Sequence, residues 1–151
     1  MDFTGEELIT APRDLVWAAL NDPEIMRGCI PGCQRIERLS PDAFEATIKV
    51  KFSLLSATFH GLLTLSNVDA PKSYTLSAEG KGGIAGFARG SADIVLEKRG
   101  DETILYYRAR AELGGKLAQL GERLLDSTSQ KLAVGFFSDF NAAVVAKAAT
   151  G

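Results

Sequence analysis

The chain has 151 residues, which is enough for one domain with a substantial core, and we expect a single domain over residues 1–151. Hydrophobic residues make up 46% of the chain and charged residues 24%, values that argue against a disordered or fibrous protein. The net charge is −2, and Lys and Arg are scattered rather than clustered, which argues against nucleic acid as a partner.

The N-terminal residues, Met1 to Glu7, contain neither a basic start nor an apolar run, so they do not resemble a secretion signal. No stretch of about 18 residues is both apolar and uncharged, and we therefore expect no membrane-spanning segment. The expected location is the cytoplasm. In that compartment Cys29 and Cys33 are expected to be reduced thiols.

The first third of the chain predicts a strand followed by two short helices. The strand covers Phe3 to Thr10, and the first helix covers Pro12 to Leu20, where proline suits a helix start. A second short helix is predicted over Glu24 to Gly28, with Asp22 as its N-cap and Pro23 as its first residue. The sequence from Cys29 to Cys33 predicts a sharp turn.

The middle of the chain alternates apolar and polar residues, which is typical of strands buried on one face and solvated on the other. The alternation starts at Phe44 and continues to Leu113, and short turns between the runs indicate antiparallel neighbours. We expect about six such strands, with a closing helix, which is an α+β arrangement.

The last segment, Lys116 to Lys147, predicts one long amphipathic helix of roughly 45 Å. Its apolar stripe contains Leu117, Leu120, Leu124, Thr128, Leu132, Phe136, Phe140 and Val144. Gly114 and Gly115 provide the hinge before it. Phe137 falls beside the stripe, and two interpretations stay open: a rim residue partly covered by the sheet, or a patch for a partner or a membrane surface.

The predicted inner face of the sheet contains many small residues. They are Ala46, Ala57, Gly61, Ala78, Gly80, Ala88, Gly90, Ala92, Ala109 and Ala111. Either the helix packs closely on them, or helix and sheet stand apart and leave an apolar pocket. The residues alone do not decide between these two outcomes.

Glycines recur between Gly80 and Phe87, but their spacing matches no phosphate-binding motif, and a hairpin connection is favoured. Its apolar residues Ile84 and Phe87 could form a lid over a pocket mouth.

Residues suited to catalysis are scarce. His60, the single histidine, falls on the predicted solvated face, and the Cys29–Cys33 pair lacks the two further ligands of a zinc site. Glu45, Glu79, Asp93 and Glu112 also alternate outward. We therefore expect a protein that is not an enzyme and has no metal site or covalently bound cofactor.

Four stretches together resemble one family. They are Ala11 to Glu24, Cys29 to Cys33, Gly114 to Gly121, and the pair Phe136 and Phe137. This combination is similar to the carbon monoxide dehydrogenase G-subunit family of the START and polyketide-cyclase-like superfamily, over about residues 2 to 145.

The resemblance implies a helix-grip fold: a seven-stranded antiparallel sheet wrapped around the C-terminal helix, with a hydrophobic cavity between them. It also implies a strand near Arg35 to Leu39 that is too short to predict from its own residues. Members resemble accessory proteins of molybdenum hydroxylases, with a quinone or lipid as cargo and recruitment to the cytoplasmic membrane as a role. Many have a C-terminal membrane anchor; none is evident up to Gly151, so we expect cargo binding or transient docking instead.

With the resemblance, the pocket is the favoured outcome. Its candidate residues are Trp17, Leu20, Ile25, Phe52, Phe59, Leu63, Phe87, Tyr107, Leu120, Leu124 and Phe136, each of which could equally belong to a filled core. Two other functions stay open: a cyclase- or hydrolase-like enzyme using Tyr107 or another pocket hydroxyl, and a structural adaptor with a filled interior.

Overall fold

The computed structural model describes residues 1–52 and 54–150, without the side chains of Phe52, Leu55 and Glu122. The strands are β1 (Asp2–Ile9), β2 (Cys33–Ser40), β3 (Ala43–Phe52), β4 (Leu55–Asp69), β5 (Ser73–Lys81), β6 (Phe87–Arg99) and β7 (Glu102–Gly114). The helices are α1 (Arg13–Leu20), α2 (Pro23–Cys29) and α3 (Glu122–Thr150). Two 3-10 turns cover Gly83–Ala85 and Gly115–Leu120.

The seven strands form one sheet in the order β1-β7-β6-β5-β4-β3-β2, and every neighbouring pair is antiparallel. The helices α1 and α2 connect the edge strand β1 to the opposite edge strand β2. This arrangement confirms the predicted fold class, including the two short helices after the first strand.

The start of α2 follows the sequence prediction closely. Asp22 is its N-cap, with a carboxylate oxygen that accepts a hydrogen bond from the Glu24 amide at 3.0 Å, and Pro23 is the first helical residue. Because the side chain satisfies an amide that has no partner within the helix, the helix begins at this position.

The long C-terminal helix begins later than predicted. The sequence predicts one helix from Lys116, whereas residues Gly115–Leu120 form a separate 3-10 turn and α3 begins at Glu122. Gly121 lies between them with φ +90°, a backbone conformation that an α-helix does not contain. The leucine spacing continues across this break, which is why the sequence pattern does not reveal it.

The main core lies where the C-terminal part of α3 meets α1 and the ends of β1, β6 and β7. Its buried members are Ile9, Ala11, Val16, Ala19, Cys29, Leu96, Leu105, Phe140 and Val144. A second, smaller cluster joins Phe59, Ala85 and Leu117 at the other end of the sheet. The helix is therefore held near its C-terminal part by the main core and preceded by a turn that packs into the second cluster.

The segment Arg123–Thr150 of α3 is long enough and apolar enough to cross a membrane, judged by length and composition alone. Its apolar part contains the charged residues Asp139 and Lys147, so no uncharged apolar stretch of about 18 residues is present in α3, and the expectation of no membrane-spanning segment stays a prediction. In this fold Phe140 and Val144 are buried against the rest of the chain, so the helix also belongs to the core.

Candidate functional site

The inner face of the sheet has a floor of small residues that run in rows across the strands. Ala46, Gly61, Gly80 and Ala88 are successive partners from β3 to β6. Ala78, Gly90 and Ala111 form the next row, and Ala92 and Ala109 pair in the third. Because these side chains extend by at most one carbon, they leave the space above them unfilled.

That space is a cavity of about 410 Å³. All nine residues of the floor border it, and Phe59, Leu63, Leu117 and Leu132 complete much of its wall. Ligand pockets typically measure about 300–1,000 Å³ and have mainly apolar walls, so its size and composition suit a small apolar molecule.

A second cavity of about 290 Å³ continues the first beneath α1 and α2. The two share Leu63, Leu76 and Ala92, and the second is the more enclosed. Its walls include Leu20 and Met26 from the short helices and Phe136 and Phe137 from α3. The two cavities form one hollow, which we call the apolar hollow.

The helix α3 stands away from the sheet above this hollow. Its fully buried residues Phe140 and Val144 lie near the C-terminal end, in the main core, whereas Leu132 borders the larger cavity. Leu125 is also buried, near the N-terminal end of α3, so large side chains hold the helix on both sides of Leu132, and the small residues of the floor lie below Leu132. The structure therefore favours the pocket over close packing of helix on sheet.

Among the described residues that border the smaller cavity, Tyr74 and Tyr107 are the two with a hydroxyl group. Tyr74 is 7% exposed, and Trp17 packs edge-on against its ring with centroids 5.3 Å apart. Burial raises the pKa of Tyr74 well above its ordinary value, so this phenol stays protonated. Tyr107 stacks on Phe137, with ring centroids 5.5 Å apart.

Charged residues that border the larger cavity belong to the outward positions of their strands. Arg89 donates to Glu112 on the outer face through two nitrogens, each at 3.0 Å, and this pairing lowers the pKa of Glu112. Glu79 and Arg110 are exposed. The hollow is therefore suited to an uncharged guest.

The outer face of the sheet has a larger depression of about 530 Å³, bordered by Glu79, Arg89, Arg110 and Glu112. Its charged side chains are exposed, and two of them, Arg89 and Glu112, form an ion pair with each other. It is more open than either cavity of the hollow, and a larger share of its wall is polar, so it suits a small apolar molecule less well.

Five of the eleven residues predicted for the pocket border the hollow, namely Leu20, Phe59, Leu63, Tyr107 and Phe136. Trp17 and Ile25 pack against the main core, and Leu120 packs against the cluster around Phe59. Leu124 is half-buried on α3 and borders neither cavity. The side chain of Phe52 lies outside the described part of the structure.

The connection between β5 and β6 contains the 3-10 turn Gly83–Ala85, so it is the hairpin connection that the sequence favours. Ala85 is buried beside Leu117, whereas Ile84 is 85% exposed. Phe87 is partly exposed, with the Arg89 guanidinium 5.6 Å from its ring centre, and it borders neither cavity. The lid hypothesis for Ile84 and Phe87 stays a prediction.

Several residues that border the hollow were not among the candidates. They include Ile48, Val50, Leu76, Leu113, Leu117, Leu132, Tyr74 and Phe137. Most of them follow the inward alternation, but sequence periodicity does not show which inward positions lie beneath the helix. Phe137 is half-buried against Tyr107, which corresponds to the covered rim position rather than to an exposed patch.

His60, Cys29 and Cys33, which were considered for catalysis or metal binding, do not border the hollow. His60 is exposed, and its Nδ1 lies 3.3 Å from the Thr47 hydroxyl. Cys29 is a buried free thiol whose pKa is raised by burial and by Asp139, and Cys33 is a free thiol in the next strand. Across residues 1–52 and 54–150, no group of three or more His, Cys, Asp or Glu side chains is arranged to hold a metal ion.

Solved structures with the same architecture show which fold this is. A START superfamily protein from Mycobacterium smegmatis is 10% identical with a TM-score of 0.71, covering 95% of this chain and 96% of that one. The Zhui aromatase/cyclase from a Streptomyces species is 12% identical with a TM-score of 0.68, covering 95% and 93%. The fold is thus the helix-grip fold of START and cyclase-like proteins.

The particular family follows from the sequence. The chain belongs to the carbon monoxide dehydrogenase G-subunit (CoxG) family, whose profile matches residues 5–145. A conserved protein from Geobacillus kaustophilus is 27% identical with a TM-score of 0.89, covering 96% of this chain and 95% of that one. Comparison with curated proteins gave no match.

Proposed function

We propose that this protein is a non-enzymatic accessory protein of a molybdenum hydroxylase of the carbon monoxide dehydrogenase type. It binds a hydrophobic small molecule, quinone-like or lipid-like, in the apolar hollow. It thereby assists electron delivery or recruitment of the enzyme at the cytoplasmic face of the membrane.

The observation that carries this proposal is the floor of nine Ala and Gly residues under a helix that is held away from it. A protein that needed only a stable core would gain from filling this space, because unfilled apolar volume costs about 24 cal/mol per Å³. A guest molecule removes that cost when it replaces water or empty space. The neutral walls favour a guest without charge.

Membership of the CoxG family supports the choice of partner. Family members are named for an enzyme whose electrons need an acceptor, and an apolar carrier protein would move a membrane-soluble acceptor to that enzyme. The long apolar surface of α3 is compatible with contact at a membrane.

Catalysis of the cyclase or hydrolase kind is disfavoured by the chemistry of the hollow. The inward side chains that border the two cavities carry no carboxylate and no imidazole among the described residues. Tyr74, the buried phenol, has a raised pKa, which makes it a poor general base. The cyclase relative is 12% identical, so it supports the fold alone.

Two measurements test the proposal. Native mass spectrometry of the gently purified protein should show a bound apolar compound or uptake of menaquinone on titration. Electron transfer from the partner hydroxylase to menaquinone should then be faster with this protein than without it. An empty protein that takes up no menaquinone would refute the carrier role, and unchanged electron transfer despite uptake would refute the accessory role.

A further inference from the structure

The Tyr74 hydroxyl is a buried donor without a hydrogen-bond partner among the described residues. It makes no hydrogen bond to another described residue, and burial is the sole cause of its raised pKa. Among the described residues, Arg13 Nε is the one side-chain nitrogen or oxygen that is wholly inaccessible and unpartnered. The Tyr74 oxygen therefore keeps some accessible surface, and the residue borders the smaller cavity.

We propose that Tyr74 binds the polar end of the guest, donating a hydrogen bond from its hydroxyl to a neutral carbonyl-type oxygen. The inference rests on the proposed function and adds the orientation of the guest. The polar end lies in the enclosed cavity beneath α1 and α2, and the apolar remainder extends along the Ala and Gly floor toward Phe59 and Leu117.

The surroundings of Tyr74 hold the ring in place for this role. Trp17 packs edge-on against it at a centroid distance of 5.3 Å, and Ile94 on the neighbouring strand β6 lies opposite Tyr74. Since a buried hydroxyl without a partner is costly, the site favours a guest that supplies an acceptor over one that does not.

The second tyrosine is less suited to this role. Tyr107 is half-buried, and its hydroxyl lies over β1, where a Cβ built on Gly5 would come within 2.5 Å of it. Its ring is covered by Phe137. The hydroxyl thus sits near the edge strand, whereas Tyr74 lies under α1.

The acceptor must be neutral, because no inward Lys or Arg side chain borders the smaller cavity among its described residues. A carboxylate would lose its hydration without gaining a counter-charge there, and the cost of such burial is large. A quinone or ester carbonyl makes the same hydrogen bond without this cost.

The test compares ligands that differ in the acceptor alone. Menadione and methylnaphthalene share a ring system, but only menadione has carbonyl oxygens. Methyl decanoate and decanoate share a chain, but only decanoate is charged. Affinities for the wild-type protein and the variants Tyr74→Phe, Tyr107→Phe and Tyr106→Phe are measured by quenching of the single tryptophan, Trp17, or by calorimetry.

Tyr74→Phe should weaken the binding of menadione and methyl decanoate roughly tenfold and leave the affinity for methylnaphthalene unchanged. Tyr106→Phe is the matched control, since that exposed hydroxyl donates to Glu97 at 2.7 Å on the outer face, and it should alter no affinity. Decanoate should bind at least about tenfold more weakly than its ester.

Equal menadione affinity in wild type and Tyr74→Phe would overturn the inference and leave the carrier function intact. The inference would also be overturned if menadione affinity fell in Tyr107→Phe alone. Tight binding of decanoate that depends on the Tyr74 hydroxyl would overturn it as well. Absence of binding by every ligand to the wild type would refute the carrier function, and the inference with it.

Discussion

Phe136 and Phe140 lie one turn apart on α3 with their rings stacked at 5.6 Å, yet they have different roles. Phe140 is fully buried in the main core, whereas Phe136 borders the smaller cavity. The same residue type thus supports the helix at one position and forms the wall of the hollow at the other. Stability and cavity shape should respond separately to the two positions.

Replacing Phe140 with alanine should lower the free energy of unfolding by about 3–5 kcal/mol, because it opens a cavity in close-packed surroundings. Phe136→Ala should cost less, since that side chain already borders empty space. Val134→Ala, at a position that is 69% exposed, should change stability by less than about 0.5 kcal/mol. Urea denaturation measures all three, and equal losses for Phe140 and Val134 would contradict the placement of α3.

The buried phenol of Tyr74 also predicts how stability depends on pH. Its pKa is raised in the folded state, so above its ordinary value of 10.0 the unfolded chain loses the proton first. Stability is thus fully present below about pH 10 and should fall above it, by up to about 1.4 kcal/mol per pH unit. Cys29, with a pKa raised above 9.0, should begin the decline slightly earlier.

Denaturation at a series of alkaline pH values measures this effect. Tyr74→Phe should flatten the decline above about pH 10, and Cys29→Ala should reduce the part that begins near pH 9. An alkaline decline that is identical in Tyr74→Phe and wild type would show that this phenol ionises freely in the folded state.

At the level of elements, the strands could be predicted from their alternation because one face is buried and the other solvated. The strand β2 could not be predicted in this way. Its residues Arg35, Glu37, Arg38 and Leu39 are all exposed, and Ile36 alone does not produce an alternation of apolar and polar residues. The break before α3 was also hidden, because it depends on the φ of Gly121 and not on hydrophobic spacing.

Gly121 has open space around its Cα, so its replacement tests conformation rather than packing. Gly121→Ala should destabilise the fold by about 1 kcal/mol or more, because alanine disfavours a φ of +90°. Gly28→Ala is the matched control, since it also meets no neighbour but lies within α2, and it should stabilise by up to about 1 kcal/mol. Stabilisation by both substitutions would contradict the positive φ of Gly121 and, with it, the separation of the 3-10 turn from α3.

At the level of the whole molecule, the sequence indicated the floor of the hollow but not the hollow itself. Ala78, Gly90 and Ala111 could be assigned to the inner face from their alternation alone. Whether a helix rests on them depends on its distance from the sheet. That distance is determined by where Phe140 and Val144 dock and by the register of five strands, and neither follows from a local pattern.

The central claim, that the space under α3 admits an apolar guest, is tested most directly by filling that space. Ala92 borders both cavities. Ser91, the preceding residue on β6, also borders the larger cavity, but it is exposed and occupies an outward position of the strand. Menadione binding to wild type, Ala92→Leu and Ser91→Leu is followed by Trp17 fluorescence, with circular dichroism as the check on folding. The account predicts saturable binding by wild type and Ser91→Leu and at least tenfold weaker binding by a folded Ala92→Leu; equal binding by all three, or by none, would contradict it.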